Sequence, residues 1–239
     1  TRCVGPPTEC ACLRLRDWVE GGYLLSDANT PDIGMPRGEI LVSGPTVCAG
    51  YYESHAIPDA DVAQKNITDF VEIDGMRFFC TGDVGQILLN GNLAIIDRKK
   101  DLVKLQQGEY VALSKVENAL KDSKYVALPM VYADPHKSFC IALVCPQEPA
   151  LQALARELHI STNSSLTDLC NNEAIKAEVL NDIQASCKKL RLARFEIPQR
   201  LLLIDDPWTP ENGMLTAIQK LKRKPIYNKH KDQIEATYN

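Results

Sequence analysis

The chain has 239 residues, of which 45% are hydrophobic and 24% are charged, and its formal net charge at pH 7 is −4. This length allows a sizeable core, in one large domain or two small ones. The composition excludes an extensively disordered protein and a nucleic-acid-binding protein that relies on bulk positive charge. No apolar run reaches the ~20 residues of a membrane-spanning helix.

The amino-terminal segment does not resemble a secretory signal. Residues 1–12, T-R-C-V-G-P-P-T-E-C-A-C, have no basic region followed by a long apolar stretch. The chain also starts without a methionine, and we expect it to be part of a longer protein.

The first 97 residues are predicted to be rich in β structure. Residues 38–44 form a short apolar run bounded by glycines, which is typical of a strand. Asp74-Gly75 and Asn90-Gly91 are hairpin dipeptides, because type I′ turns need positive φ at both central positions. The triplet Thr81-Gly82-Asp83 falls between these two turns.

After Asp101, helical and strand-like segments mix without βαβ regularity, which favours an α+β fold. A polar loop is predicted at residues 161–165, and residues from 216 onward are basic and helix-compatible, interrupted by Pro225. The spacing of apolar residues predicts helices over 113–121, 149–158 and 173–190, and strands over 125–132, 139–144 and 199–205.

A domain boundary is predicted at residues 97–101. A β-rich part meets an α+β part there, and the joining residues, D-R-K-K-D, are charged rather than apolar.

Nine cysteines are scattered along the chain without a C-x-x-C motif. The four histidines show no ligand spacing with them, so we predict no metal site. Free thiols, mostly packed as small apolar groups, indicate an intracellular, reducing compartment, either the cytoplasm or the cytoplasmic face of a membrane. The cysteines are Cys3, Cys10, Cys12, Cys48, Cys80, Cys140, Cys145, Cys170 and Cys187.

Asp83 is the first candidate for binding chemistry. An aspartate at a strand end can accept hydrogen bonds from the two vicinal hydroxyls of a ribose. The alternative is a turn aspartate that caps its own backbone.

The charged run that follows offers further candidates. Clustered cations could contact phosphate groups, although most charge runs are solvated loops; the cluster here is Arg98, Lys99, Lys100 and Lys104. Gly108 could allow close approach of a ligand to the backbone, or it could be an ordinary turn glycine. In residues 211–224, a lysine could neutralise charge that develops on a phosphoryl oxygen, or the run could be a basic helix end.

Several motifs, taken together, resemble the C-terminal part of long-chain acyl-CoA synthetases, which are adenylate-forming fatty acid–CoA ligases. The resemblance covers nearly the whole chain. It rests on R-D-W-V-E-G-G-Y (16–23), P-R-G-E-I-L (36–41), G-Y-Y (50–52), F-F-C-T-G-D-V-G (78–85), I-I-D-R-K-K-D-L-V-K-L-Q-Q-G-E-Y-V (95–111), C-N-N (170–172), R-F-E-I-P (194–198) and P-W-T-P-E-N-G-M-L-T (207–216).

The resemblance implies a fold and a reaction. Residues 1–96 would form a distorted barrel-like β subdomain of a larger domain, and residues 97–101 would be a hinge. Residues 102–239 would form a mobile lid with a short antiparallel sheet and flanking helices. A fatty acid and ATP would give an acyl-adenylate and pyrophosphate, and the thiol of CoA would then displace AMP.

The resemblance also implies residue roles. Asp83 and Arg98 would bind the ribose side of ATP or AMP, and Asp97 would be the hinge residue. Lys104 would face the active site when the thioester forms, and Gly108 and Glu109 would lie on the CoA side.

The adenylation lysine departs from the wider superfamily pattern. Many relatives place it directly after the glycine of T-x-S-G-K, whereas Met214 follows Gly213 in this chain. Lys220 is the nearest substitute within the long-chain branch. Glu117 is expected to be structural.

Part of the expected enzyme is not found in these residues. The phosphate-binding loop and the fatty-acid tunnel of the family lie upstream, and G-x-x-x-x-G-K-[ST] does not occur here. We therefore expect the ligands of Mg²⁺ to lie outside this chain, the partner to be an upstream N-terminal domain, and the chain alone to be inactive. Membrane association of the full-length protein is compatible with a lipid substrate.

Two alternatives remain open at this point. The enzyme could activate another acid, such as a short-chain, aryl or luciferin-like acid. The chain could also be a non-catalytic binding or regulatory module that retains the fold.

Overall fold

The computed structural model describes residues 3–53, 60–160 and 164–238. The chain divides into two compact units, Thr1–Leu102 and Val103–Asn239. The division falls just after the charged run at which we predicted a boundary, and the hinge role of that run remains a prediction.

The first unit is built on a six-stranded sheet with one described α-helix. The strands are β1 (Cys3–Gly5), β2 (Cys12–Arg16), β3 (Arg37–Ser43), β4 (Phe70–Ile73), β5 (Met76–Ile87) and β6 (Leu93–Arg98), and the helix is α1 (Ala60–Thr68). The strand order is β1-β6-β5-β3-β2, with β4 also paired to β5, and the described pairings are antiparallel. The sheet is open among the described strands, so the expected barrel-like closure is not formed by them.

The two predicted hairpin turns connect consecutive strands. Asp74 and Gly75 both have positive φ (53° and 74°), as a type I′ turn between β4 and β5 requires. In the turn between β5 and β6, Gly91 (φ 79°) has positive φ and Asn90 does not, because a longer loop closes through the bond from the Leu88 N–H to the Asn92 carbonyl. The prediction of β structure in this region missed α1.

Alternation along the strands gives the first unit two small apolar clusters. Ile40 packs with Leu15 and Leu93, whereas its neighbour Leu41 packs with Phe78 and Cys80. Successive residues of a strand face opposite sides of the sheet, so both faces of this sheet carry buried side chains.

The second unit is a three-layer α+β arrangement, which confirms the predicted fold class. A sheet in the order β11-β10-β9 forms its centre, and a separate ribbon pairs β7 with β8. The elements are β7 (Leu102–Lys104), β8 (Tyr110–Ala112), α2 (Leu113–Leu120), β9 (Val126–Ala133), β10 (Cys140–Pro146), α3 (Glu148–Glu157), α4 (Leu166–Asn171), α5 (Glu173–Lys189), β11 (Arg200–Leu203) and α6 (Arg223–Tyr238).

The central sheet was predicted to be antiparallel, but it is mixed. β9 pairs with β10 in antiparallel register, but β11 runs parallel to β10. The parallel pairing follows from the long connection through α3, α4 and α5, because only a crossover can return the chain in the same direction.

β10 separates the two apolar clusters of the second unit. Alternate residues Cys140, Ala142 and Val144 pack with the cluster beneath α2, α3 and α5, whereas Ile141 and Leu143 pack with Trp208 and α6. A strand that is buried on both faces reads as one continuous apolar run, which is why the sequence predicts it well.

Helices α4 and α5 show how local sequence sets helix ends. Buried residues recur every four positions along α5, and the Asn172 side chain accepts hydrogen bonds from the first amides of the helix. Ser165 and Asp168 form a capping box at the start of α4, a helix that the sequence analysis missed. Residues 161–163 of the predicted polar loop lie outside the described residues.

The last helix begins later than predicted. Residues 216–222 are not helical, because Leu215 pairs with Leu221 in an isolated bridge that closes a hairpin. α6 starts at Arg223, and Pro225 lies in its first turn, where the missing N–H costs no intrahelical hydrogen bond.

The cysteines are free thiols, and the expectation that they pack as apolar groups holds for five of the nine. Burial raises the pKa of Cys140 to about 12 and that of Cys145 to about 11. Cys3, Cys10, Cys12 and Cys48 are exposed instead. Within the described part of the chain, no helix has the length and apolar character needed to cross a bilayer.

Glu117 connects three elements of the second unit. Its Oε1 lies 2.7 Å from Nη1 of Arg223, its Oε2 lies 2.9 Å from Nη2, and Oε1 also accepts the Val131 N–H at 2.8 Å. The carboxylate is buried, so its charge depends on these donors for compensation. α2, β9 and the start of α6 are thereby joined at one point.

We predict that Glu117→Gln destabilises the 239-residue chain by about 3 kcal/mol, because the substitution removes one partner of a buried ion pair. Urea unfolding monitored by circular dichroism measures the change. Asp122→Asn, which neutralises an exposed carboxylate just after α2, is the matched control and should shift the transition little. Equal effects of the two substitutions would contradict a structural role for Glu117.

Candidate nucleotide site and hinge

Asp83 and Arg98 face each other across two neighbouring strands. They are register partners in the antiparallel pairing of β5 with β6. The Nε of Arg98 donates to Oδ1 of Asp83 at 2.6 Å. This hydrogen bond raises the pKa of the Arg98 guanidinium above its ordinary value, so Arg98 remains a cation.

The backbone around Asp83 has a defined local cause. The Thr81 hydroxyl accepts the Asp83 N–H at 3.1 Å and donates to the carbonyl of Ile40 at 2.9 Å. Gly82 between them has φ +72°, a conformation that costs glycine little. The T-G-D triplet therefore places Asp83 directly after a glycine with positive φ within β5. The Thr81 hydroxyl connects this point of β5 to Ile40 of β3.

The pair is exposed enough to meet a ligand. The side chain of Arg98 is 59% exposed and that of Asp83 is 21% exposed. Ion pairs at such positions contribute about 0–1 kcal/mol to stability. A ligand hydroxyl or phosphate can therefore compete for either side chain at small cost to the fold.

Asp97 precedes Arg98 and has both carboxylate oxygens occupied. The Tyr23 hydroxyl donates to Oδ2 at 3.0 Å, and the Arg98 N–H donates to Oδ1 at 2.8 Å. The register of β5 and β6 shifts next to this point, between Val84 and Gly85. The bulge interrupts the regular ladder, and the pairs Val84–Asp97 and Asp83–Arg98 lie beyond it.

Lys99 follows Arg98 and contacts two residues of other motifs. Its Nζ lies 3.2 Å from Oε2 of Glu39 and 5.4 Å from the ring centroid of Trp18. Glu39 is buried, and Nη2 of Arg16 lies 2.5 Å from the same oxygen. Trp18 also stacks on Tyr23, with a centroid distance of 6.0 Å. The segment 16–23 and β3 therefore hold both neighbours of Arg98.

Lys104 is the last residue of β7, and Gly108 and Glu109 lie on the turn that joins β7 to β8. The Leu105 N–H donates to the Glu109 carbonyl at 2.8 Å, and Gly108 has φ +97°. Lys104 is exposed, with its Nζ 5.6 Å from the Tyr110 ring centroid.

Glu109 contributes to a cavity at the base of this turn. Its Oε2 is buried and has no hydrogen-bond partner among the described residues. The cavity has a volume of about 330 Å³ and is lined by Gln107, Glu109, Ser138, Arg194, Phe195 and Gln199. An unpartnered carboxylate oxygen beside a cavity is a polar group that a donor on a ligand could satisfy.

Lys220 lies near the tip of the hairpin that precedes α6. Its carbonyl accepts the Thr216 N–H at 2.8 Å, its own N–H donates to the Thr216 hydroxyl at 3.0 Å, and its side chain is exposed. Met214 packs against the apolar cluster around Trp208. The position after Gly213, which holds lysine in T-x-S-G-K, therefore contributes to apolar packing in this chain. The anchored Arg223 fixes the end of the hairpin.

The structure thus groups the predicted site residues within each unit. Asp83, Asp97 and Arg98 are adjacent in the first unit. In the second unit, Lys104, Gly108 and Glu109 belong to the β7–β8 hairpin, and Lys220 lies on another hairpin. Sequence analysis missed the contacts among Tyr23, Asp97, Glu39 and Lys99, although all four residues lie in quoted motifs.

The chain is similar to curated long-chain ligases along nearly its whole length. It is 44% identical over 238 residues to long chain acyl-CoA synthetase 8 of Arabidopsis thaliana, covering 98% of this chain and 31% of that protein. It is 37% identical over 236 residues to long-chain-fatty-acid–CoA ligase 1 of Schizosaccharomyces pombe, covering 98% of this chain and 32% of that protein. The chain spans about a third of the length of these relatives. Protein-family models gave no match.

Solved structures confirm the fold. The A domain of carboxylic acid reductase from Segniliparus rugosus, in complex with AMP and a co-purified carboxylic acid, matches with a TM-score of 0.77 and 30% identity. The match covers 98% of this chain and 32% of that one. The α+β architecture described above is therefore that of the corresponding part of adenylate-forming enzymes.

Proposed function

We propose that this chain, whose sequence matches the C-terminal region of long-chain fatty acid–CoA ligases, carries the ribose-binding edge, the hinge and the lid of such an enzyme. The full-length protein would be an acid–thiol ligase. The observation that carries this proposal is the cross-strand pair of Asp83 and Arg98, which directly adjoins the hinge candidate Asp97.

The reaction proceeds in two half-reactions. The fatty-acid carboxylate attacks the α-phosphorus of ATP, which gives an acyl-adenylate and releases pyrophosphate. The thiol of CoA then attacks the acyl carbon, its proton is lost, and AMP leaves. Mg²⁺ is expected to accompany ATP in the complete enzyme, with ligands outside this chain.

Asp83 and Arg98 fit the ribose side of the nucleotide. A partly exposed carboxylate can accept hydrogen bonds from two vicinal hydroxyls, and a neighbouring guanidinium supplies positive charge toward the phosphate. The AMP complex of the S. rugosus neighbour supports a nucleotide as the ligand of this fold.

The two turns of the second unit serve the two half-reactions in this proposal. Lys220 would neutralise charge on the phosphate during adenylate formation, because its exposed ammonium group extends from a hairpin whose backbone is held by hydrogen bonds to Thr216. Lys104, Gly108 and Glu109 would act on the CoA side. The cavity beside Glu109, with Arg194 on its wall, supports that assignment, since CoA carries both anionic and donor groups.

The setting of the full-length protein remains part of the proposal. The free cysteines favour an intracellular, reducing compartment. Association with a membrane is compatible with a substrate that partitions into lipid. The partner of this chain would be an upstream N-terminal domain that carries the phosphate loop and the acyl tunnel.

Asp83→Ala in the full-length enzyme should lower acyl-CoA formation ~10²–10³-fold, because one positioned contact to the nucleotide is lost. The assay follows acyl-CoA production at saturating fatty acid and CoA over a range of ATP concentrations. Asp232→Ala, at an exposed position on α6, is the control. Unchanged activity of Asp83→Ala would favour a non-catalytic module.

Lys220→Ala should lower ATP–pyrophosphate exchange ~10²–10³-fold and leave the CoA-dependent consumption of preformed acyl-adenylate within a few-fold. Lys222→Ala and Lys224→Ala, at two exposed neighbours, are the matched controls. If one of these substitutions abolishes exchange and Lys220→Ala does not, the adenylation lysine is assigned to that residue instead.

The 239-residue chain alone should show no ATP–pyrophosphate exchange and no acyl-CoA formation, because it lacks the phosphate loop. The full-length protein, assayed in parallel with a series of acids of increasing chain length, should be active and should favour long chains. Turnover by the chain alone would refute the assignment of the missing parts. A preference for short or aryl acids would replace the proposed substrate.

A further inference from the structure

Lys99 is held by residues that precede the candidate hinge in the chain. Its ammonium group contacts the carboxylate of Glu39 at 3.2 Å and lies 5.4 Å from the ring centroid of Trp18. Lys99 itself comes two residues after Asp97. The contact therefore links a residue beyond the hinge to residues before it.

A turn at Asp97 must disturb this contact. A change in φ and ψ at one residue rotates everything that follows relative to everything that precedes it. An ammonium group displaced by several ångströms loses both a carboxylate at 3.2 Å and an aromatic face. The contacts of Lys99 with Glu39 and with Trp18 can therefore form together in only one orientation of the segment that begins at Asp97.

Breaking the contact does not leave the buried carboxylate of Glu39 without a charge partner. The side chain of Glu39 is 4% exposed, and Arg16 also donates to its Oε2, through Nε at 3.2 Å and Nη2 at 2.5 Å. The side chain of Lys99 is 30% exposed, so water can reach the ammonium group when it leaves. Glu39 keeps its compensation in both states, as a reversible contact requires.

We propose that Glu39 and Trp18 are positioning residues that hold Lys99 in one orientation of the lid and release it in the other. The Lys99–Glu39 contact thus acts as a latch on the turn between the two half-reactions. This inference rests on the proposed function, because the latch acts only if the lid turns about Asp97. It assigns no substrate contact to Lys99, Glu39 or Trp18.

The test uses the full-length enzyme with Lys99→Met, which removes the charge but keeps an apolar chain beside Trp18. Lys100→Met removes the same charge from the exposed neighbouring position and is the matched control. Adenylate formation is measured by ATP–pyrophosphate exchange. Thioester formation is measured separately, by single-turnover reaction of preformed acyl-adenylate with CoA.

Lys99→Met should change the ratio of the two half-reaction rates about tenfold, a typical size for coupling between two states. One rate should fall while the other is maintained or rises, and the control should leave the ratio unchanged. Glu39→Gln, which retains an oxygen acceptor for Arg16, should move the ratio in the same direction. The double variant should add little to either single change, since both remove one contact.

Two outcomes would overturn the latch alone. In one, the ratio in Lys99→Met stays at the control value while the unaltered enzyme performs both half-reactions. In the other, both rates fall in parallel, as a merely structural role predicts. An unaltered full-length protein that performs neither half-reaction would instead overturn the proposed function, and the latch with it.

Discussion

The antiparallel register between β5 and β6 determines the position of each nucleotide-site candidate in the first unit. It places Asp83 opposite Arg98 and Val84 opposite Asp97. A shift of one residue would turn the side chains of β6 to the other face of the sheet and separate the pair. Leu93 and Ala94 are buried on opposite faces of the same sheet, and the register shift between Val84 and Gly85 separates their pairs from the two polar pairs.

Buried carboxylates join distant parts of both units. Glu39 connects β3 to segment 16–23 and the charged run, and Glu117 connects α2 to β9 and α6. Glu196 connects α2 to the turn before β11, through Lys115 at 2.7 Å and the Ala193 N–H at 2.8 Å. Such groups add little net stability compared with apolar packing, but removing one partner is costly. They restrict which arrangements the chain can adopt.

The elements that the sequence predicted well are those with a strong local signal. β10 is a continuous apolar run, and the apolar spacing of α5 matches the helical repeat. The hairpin at 215–221 was missed because T-A-I-Q-K-L-K is helix-compatible locally, and the bridge between Leu215 and Leu221 overrides that preference. α4 was missed although Ser165 and Asp168 carry a capping-box signal.

The candidate site shows the same division. Motifs identified Asp83, Asp97 and Arg98, because each lies in a distinctive short run of residues. Tyr23, Glu39 and Lys99 act through contacts that span 60 residues or more of sequence, as in Glu39–Lys99 (60) and Tyr23–Asp97 (74). Spacing within a motif carries no information about such contacts, whereas three-dimensional packing reveals them directly.

The ion pair of Glu117 with Arg223 has a consequence for how the chain is made. The two residues are 106 positions apart, so the ribosome adds Arg223 long after Glu117. Until Arg223 is added, Glu117 lacks this charge partner. The apolar cluster of Ile141 and Leu143 also lacks Ile226 and Ile234, which α6 contributes. A product of translation that stops between the two residues would therefore expose an apolar surface beside an undercompensated carboxylate. The lysine-bearing hairpin would be held in place only in molecules that extend through α6.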